Sequence, residues 1–366
     1  MASGCEPVRD ECGRLKLVAG RSVTVNVPAT SANLGPGYDS LGLALGYGDR
    51  LVVRTLAKPG VSVEITGEGT ETLPRDESHL VVRTLRRACT DLGVADDVLD
   101  CVGLELIAEN HIPHGRGQGS SAAAIVSAVF AAAGLLGLDV DRERDVLFQL
   151  AAHYEGHPDN VAPAVYGGYT ISLAEDAVDA SEPVSVDAAR EEDSEDHRAV
   201  TACGATLTPV AGVEFSTVVA RVHPQLTPVV AVPQTTLSTH AARSLLPAVV
   251  DHADAAADAG RAALLTYALT KDPRHLMRAT RDWLHQRFRA EAMPESARLV
   301  RAARAAGCAA VISGAGPTVL VLANGENHAD AALEVLKDVT SGGGWDVFMP
   351  GLDERGAMVE VHRNAC

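Results

Sequence analysis

Pro113-His114-Gly115-Arg116-Gly117-Gln118-Gly119-Ser120-Ser121-Ala122 sets three alternating glycines and two hydroxyls directly against the start of an alanine-rich stretch. Glycine lets a backbone approach an anion with no Cβ in the way, and a helix N-terminus behind it presents free N–H groups and roughly half a positive charge. Ser120 and Ser121 add hydroxyls able to bond a phosphate oxygen or ligate Mg²⁺. The stretch therefore reads as a phosphate cradle, set against the plainer reading of a glycine-rich turn of the kind that precedes many helices.

Two better-known phosphate motifs do not fit. Gly117-x-Gly119-x-x-Ala122 matches the dinucleotide fingerprint as written, but Ala108–Arg116 separates it from the nearest strand pattern, Val102–Ile107. The acids at a suitable distance, Asp139 and Asp141, fall where a helix begins rather than at a strand end. A Walker A loop needs Gly-Lys-Ser/Thr, and the four lysines of the chain (Lys16, Lys58, Lys271, Lys337) lie elsewhere. An NAD-dependent oxidoreductase built on Gly117–Ala122 is the rival from another enzyme class. A non-catalytic nucleotide sensor is a third reading, and the polar residues described below are what it would have lost.

Length and composition set the frame. A chain of 366 residues exceeds the size at which one core stops growing, so two domains are expected. A net charge of −17 argues against nucleic acid or an anionic membrane as partner. Ten acids against two arginines between Glu175 and Arg198 supply about half of that surplus, so it says little about a site. Seven scattered cysteines without a C-x-x-C pair fit reduced thiols in a cytoplasm. No apolar run reaches the roughly 18 residues of a membrane span, and the first twenty residues lack a signal-peptide core.

Strand patterns occur at Val23–Val27, Leu51–Thr55, Val61–Ile65, Val102–Ile107 and Tyr169–Leu173. Helical spacing covers Leu80–Leu92, with Ser78 as its cap, Ser120–Leu136 and Arg142–Tyr154. The second half gives strands at Phe215–Val222, Pro228–Val232, Ala309–Ile312 and Val319–Leu322. Its helices are Thr239–Leu246, a long alanine-rich stretch within Asp251–Arg289, and Glu295–Ala306. The expected division is a loose tail over 1–20, a nucleotide-binding domain over 21–173, an acidic surface loop over 174–205 and a second domain over 206–366.

Two further glycine clusters lie between elements. Ser313-Gly314-Ala315-Gly316-Pro317-Thr318 is either a tight hairpin or a second backbone loop facing a ligand. Asn33-Leu34-Gly35-Pro36-Gly37-Tyr38-Asp39 follows the first strand pattern as a rigid loop carrying an amide and a carboxylate. Three such loops suit a small-molecule site better than a protein-binding face. His153 and His157 have the spacing of a zinc helix, but Gly156 and Pro158 interrupt it.

Pro113–Ala122 resembles the second motif of the GHMP small-molecule kinases, and Ser313–Thr318 their third. Val27–Asp39, Glu155-Gly-His-Pro-Asp-Asn160, Ser238–Arg243 and Asp282–Arg289 are similar to the homoserine kinase branch, so the likeness covers about residues 20–325. The resemblance implies an α+β fold of two domains, a mixed β/α nucleotide-binding half and a C-terminal ferredoxin-like α/β sandwich. It implies ATP and Mg²⁺ in the cleft between them, L-homoserine as phosphate acceptor, and a homodimer. Mevalonate, galactose or shikimate kinases are the nearest alternatives.

Residue by residue, the resemblance assigns Pro113, His114, Gly115, Arg116, Gly117, Gln118, Gly119, Ser120, Ser121, Ala122 and Ala123 to the nucleotide, with Ser121 on the metal. Asn33, Asp39, His157, Arg243, Arg289 and Gly316 fall to the acceptor. Asp39 would meet an ammonium, and the two arginines would fork a carboxylate in a way lysine cannot. Related kinases place a catalytic aspartate seven residues before a Gly-Gly pair; here that position is Asn160. An amide takes no proton, so Asn160 is read as orienting the hydroxyl, with Asp159 as the rival general base and Arg243 beside them. Gln118 stands where the motif has leucine, Arg287 where proline is common, and Gln149 where many relatives carry a metal-binding glutamate. Glu155 is then the candidate second ligand.

Overall fold

The computed structural model describes residues 6–11, 13–95, 99, 101–175 and 214–362. Its first half is organised around two long strands, β1 (Ser22–Asn33) and β2 (Gly37–Leu56), paired antiparallel with register shifts between Pro28 and Thr30 and between Ala32 and Asn33. Pro28 has no N–H to give the ladder, which is where the first shift falls. β3 (Val61–Gly67) and β4 (Gly103–Asn110) extend the sheet beyond β2, with β3 and β4 parallel. β2 changes partner along its length. Its later half pairs β4, while Leu41–Leu43 pair β5 (Tyr169–Glu175), which pairs in turn with β6 (Glu214–Ala220).

Three helices cover this sheet beside α1 (Leu80–Asp91): α2 (Ser120–Leu136), α3 (Arg144–Glu155) and α4 (Val161–Tyr166). α2 is buried almost all round, from Ala122 to Leu136. That follows from its composition, since a helix of alanine, valine, isoleucine and leucine has no polar face to turn outward. Gly137 stops it in the left-handed conformation, with its N–H bonding back to the last turn.

The second sheet has the order β10-β7-β9-β8, formed by β7 (Leu226–Pro233), β8 (Ala309–Ile312), β9 (Val319–Asn324) and β10 (Trp345–Phe348). Helices α9 (Pro294–Ala305) and α10 (Glu326–Val339) complete a β-α-β-β-α-β unit, which is the ferredoxin-like sandwich the resemblance implied. Alternation along the strands splits their side chains between two cores. Val229, Ala231, Ile312 and Val321 face α9 and α10, while Val230, Val232, Val311 and Leu320 join the core of the first half. Between β7 and β8 lie α5 (Thr239–Ser244), α6 (His252–Thr270), α7 (Leu276–Ala279) and α8 (Gln286–Arg289).

Several expectations need correction. The described residues just before β1 are not loose: Leu15 and Leu17 are buried, each worth about 2 kcal/mol, and Arg21 donates to the Leu135 carbonyl at 2.7 Å. The second domain is not a single run over 206–366, because β6 belongs to the first sheet, as does β11 (Met358–His362), which pairs with β1. The Asn33–Asp39 cluster is the tight turn of a long hairpin rather than a loop after a short strand. The cap of α1 is His79, whose Nδ1 accepts from Val81 N–H; Ser78 bonds Asp76 instead. The helical stretch 251–289 breaks at Asp272-Pro273, since proline disfavours helix at the residue before it. Of the acidic segment 174–205, only Ala174 and Glu175 lie among the described residues, at the end of β5.

Candidate active site

A cleft of about 130 Å³ opens where the glycine loop before α2, the β1–β2 turn, the end of α3 and the C-terminal half meet. Asn33, Asp39, Gly115, Gly117, Gly119, Ser120, Ser121, His157, Asp159, Asn160, Arg243, Arg289 and Gly316 all line it. These residues come from segments nearly three hundred positions apart. Pro113, Gln118, Ala122 and Ala123 sit buried behind the loop, and Arg116 turns away to pair with Glu68 at 3.1 Å. His114 lines an adjoining, mainly apolar cavity of about 250 Å³ that shares Ser120 and Ser121 with the cleft and is walled by Leu51, Leu73, Leu80 and Val81.

The loop is held from behind by its carbonyls. Gly115 O accepts from Leu237 N–H at 2.9 Å, Arg116 O from Thr318 N–H at 3.2 Å, and Gln118 O from Thr30 N–H at 3.1 Å. Gly117 O accepts from the Ser313 hydroxyl at 2.6 Å. In a planar trans peptide the next N–H points the opposite way. Among the described residues the amides of Arg116 to Gly119 have no protein acceptor, so they remain as donors. Glycine is required at two of these points. Gly117 and Gly119 have φ of +75° and +72°, and a Cβ would lie 2.2 Å from Ser313 O at the first and 1.9 Å from Thr30 Oγ1 at the second. Gly119 also offers α2 no side-chain cap, which leaves the first-turn amides and the dipole for an anion.

Ser121 Oγ donates to Glu155 Oε2 at 2.8 Å, joining the start of α2 to the end of α3. Burial pushes the Glu155 carboxyl above its ordinary value, against the pull of the Ser121 bond. Gln149 is not part of the site. Its amide bonds both backbone groups of Phe215 and fastens α3 to β6. Arg287 is likewise elsewhere, paired with Asp254.

Elsewhere in the cleft, Arg243 grips Asp39 with both terminal nitrogens, at 2.9 and 2.7 Å. Burial draws the Arg243 guanidinium down, but the fork to Asp39 more than restores it and the net shift is upward. Arg289 is 2% exposed and donates to Ala242 O and Gly314 O, with its proton affinity lowered by burial. The Tyr38 ring lies 5.7 Å from one guanidinium and 5.5 Å from the other, a separator for two like charges. Asn33 spends its amide on structure, donating to Gly314 O and accepting from Asp39 N–H. Asn33, Leu34 and Asp39 have φ of 66°, 52° and 54°, a left-handed cluster without glycine that only such bonds hold in place.

His157 Nδ1 and Asp159 Oδ1 are 2.7 Å apart, and Asp159 is 2% exposed. Burial works against a charged His157, yet the Asp159 bond and nearby Glu155 outweigh it and raise the imidazole above its ordinary value. Asn160 Oδ1 accepts from Thr30 Oγ1 at 2.8 Å, which leaves its amide beside the cleft, 3.4 Å from Asp159 Oδ1. Leu237, Thr239 and Ala315 also line the cleft. Thr239 and Ala315 lie within the motifs Ser238–Arg243 and Ser313–Thr318 without being singled out there, and Leu237, just before the first of them, carried no signal.

Residues 79–168 match the model of the GHMP kinases N terminal domain, and residues 249–341 that of the GHMP kinases C terminal domain. A homoserine kinase of Streptomyces coelicolor is 46% identical over 339 residues, covering 92% of this chain and 94% of that one. The chain belongs to the GHMP kinase family. A homoserine kinase of Clavibacter michiganensis is 42% identical over 348 residues, 95% of this kinase and 97% of the relative. The crystal structure of a homoserine kinase from Cytophaga hutchinsonii superposes on the kinase with a TM-score of 0.71 at 27% identity, over 93% of this chain and 97% of that one. Membership makes the kinase an ATP-dependent small-molecule kinase. No described helix is long and apolar enough to cross a membrane.

Proposed function

We propose that this kinase transfers the γ-phosphoryl group of ATP to the terminal hydroxyl of L-homoserine, giving O-phospho-L-homoserine and ADP. The observation that carries the reading is the Asp39 and Arg243 fork beside the glycine loop. A zwitterionic amino acid can replace that internal pair charge for charge, its ammonium on Asp39 and its carboxylate on Arg243 and Arg289. A carboxylate without an ammonium, such as mevalonate, would leave Asp39 uncompensated. The homoserine kinases of Streptomyces and Clavibacter support the same acceptor.

The free amides of Arg116 to Gly119 and the α2 dipole would hold the transferring phosphates, with the adenine seated in the adjoining apolar cavity. Ser121 and Glu155 fit Mg²⁺: a hydroxyl and a partly exposed carboxylate within hydrogen-bond distance, with no cluster of three His, Cys, Asp or Glu among the described residues. Such a two-ligand set leaves the remaining positions to phosphate and water, as Mg²⁺ prefers. Held by Ser121 and Glu155, Mg²⁺ would supply positive charge to offset that of the phosphate oxygens. Asn160 orients the acceptor hydroxyl, and its proton leaves late to phosphate or water, as a dissociative transition state allows. Asp159, already bonded to His157, is held as an orienting anion rather than a base.

An ATP-consumption panel with homoserine, mevalonate, galactose and shikimate tests the reading. Turnover with homoserine alone is expected; faster turnover with any other alcohol overturns it. We further propose a cytoplasmic homodimer, which light scattering on the purified protein checks.

A further inference from the structure

Gln118 is the one long polar side chain in the glycine loop that faces inward, and it is completely buried. Its Oε1 accepts from the Tyr47 hydroxyl at 2.5 Å, and its Nε2 donates to Ser313 Oγ at 3.3 Å. Ser313, also fully buried, lies 2.8 Å from Ser31 Oγ and donates to Gly117 O at 2.6 Å. The single hydroxyl hydrogen of Ser313 has two acceptors in reach, Ser31 Oγ and Gly117 O; with it on the Gly117 carbonyl and Ser31 donating in turn, every donor points the same way, from Tyr47 through Gln118 and Ser313 to that carbonyl. Burial of Tyr47, with Asp49 and Glu68 nearby, pushes its hydroxyl above the ordinary value, which keeps it a donor at neutral pH.

We propose that Tyr47, Gln118 and Ser313 form a positioning relay that fixes the Gly117–Gln118 peptide and thereby aims the Gln118 N–H at the transferring phosphate. The peptide plane is the lever: holding its carbonyl on Ser313 sets the opposite direction for the amide hydrogen. The relay also ties the loop before α2 to the loop after β8, on opposite halves of the molecule, so that phosphate donors and acceptor-side residues share one alignment. Low dielectric strengthens such a series when every member is satisfied and penalises it when one is removed. This inference rests on the kinase reading above.

Three variants test it: Tyr47→Phe, Gln118→Leu and Ser313→Ala. Each is assayed for kcat and both KM values, for binding of a non-hydrolysable ATP analogue by calorimetry, and for thermal unfolding. Misaiming one preorganised donor is expected to lower kcat/KM for ATP about tenfold in Gln118→Leu and Ser313→Ala. In Tyr47→Phe the loss is expected to be about threefold, and KM for homoserine should stay within about twofold in all three. Tyr47→Phe combined with Gln118→Leu should be no worse than Gln118→Leu alone, because one relay is broken only once. If unfolding temperatures drop while kcat/KM for ATP stays within about twofold of the parent, the residues are merely structural and the relay is refuted. Independent, multiplying losses in the double variant refute it too. Should Gln118→Leu not fold, Tyr47→Phe, which removes one oxygen at a half-buried position, decides. A parent enzyme inactive on homoserine would sink the acceptor assignment alone, since the calorimetric series still reports on the relay.

Discussion

Arg243 and Asp39, 204 positions apart in the chain, close on each other through a two-bond fork in the wall of the cleft. Asp39→Asn strands Arg243, half-buried, with an unmatched charge, whereas Arg243→Lys keeps the cation and loses the two-bond fork. Asp39→Asn and Arg243→Lys are each expected to raise KM for homoserine about 10- to 100-fold, the range for losing a hydrogen bond to a charged group. KM for ATP should move little. Initial-rate kinetics with each substrate varied separately measures both; an equal rise in the two KM values contradicts the assignment.

Ser121 and Glu155 make the second prediction. Glu155→Gln keeps the shape and removes the anion, so the Mg²⁺ concentration for half-maximal rate should rise about tenfold. The pH dependence follows from burial raising the Glu155 carboxyl. A metal and a proton compete for that oxygen, so at low Mg²⁺ the acid limb of activity should lie above the ordinary glutamate value of about 4.3, and excess Mg²⁺ should move it down. An acid limb indifferent to Mg²⁺ would remove Glu155 from the proposed metal site.

Asn160 and Asp159 separate by exchange. Asn160→Asp should lower kcat steeply, on the order of a hundredfold, because it sets a new anion against the phosphates. Asp159→Asn should cost less and shift the pH profile, since His157 loses the bond that raises it. A collapse of turnover confined to Asp159→Asn would make Asp159 the base.

Asp258, 2% exposed on α6, has its Oδ1 on Trp283 N–H, while Oδ2 has no partner. Burial lifts its carboxyl to about 6. The folded protein therefore holds a proton that the unfolded chain releases near pH 4, so Asp258 favours folding most at low pH and that contribution is lost as pH rises through about 6. Asp258→Asn, which keeps the neutral shape, should raise Tm by on the order of 3 °C near pH 7.5, with the gain shrinking near pH 5. Scanning fluorimetry at the two pH values reads it; a loss of Tm at both would contradict the neutral-acid account.

How much of this could be read from the sequence depended on range. α2 was legible to the residue, since an alanine-rich run between Gly119 and Gly137 has little choice but helix, and the glycine loop announced its own chemistry. The β1–β2 hairpin was cut short because Pro28, Gly35, Pro36 and Gly37 read as strand breakers, whereas here they make the bulge and the turn. β10 and β11 carry little signal: both are short and of mixed polarity, and although Val359 and Val361 alternate with exposed neighbours in β11, five residues are too few to mark a strand. Candidate residues could be named, but their partners could not. That Arg243 meets Asp39, Ser121 meets Glu155, and Gln149 serves β6 instead of a metal is decided by contacts across the fold, which no local pattern carries.

The pairing of β11 with β1 means that the backbone crosses between the two halves twice, once after β6 and again before β11. A single tether would let the halves swivel freely; a double one acts like a door hung on two pins, restricting opening to bending about one line. It also imposes an order on biosynthesis, because the sheet behind the glycine loop gains its outer strand only long after β6, the strand of that sheet made just before it, has left the ribosome.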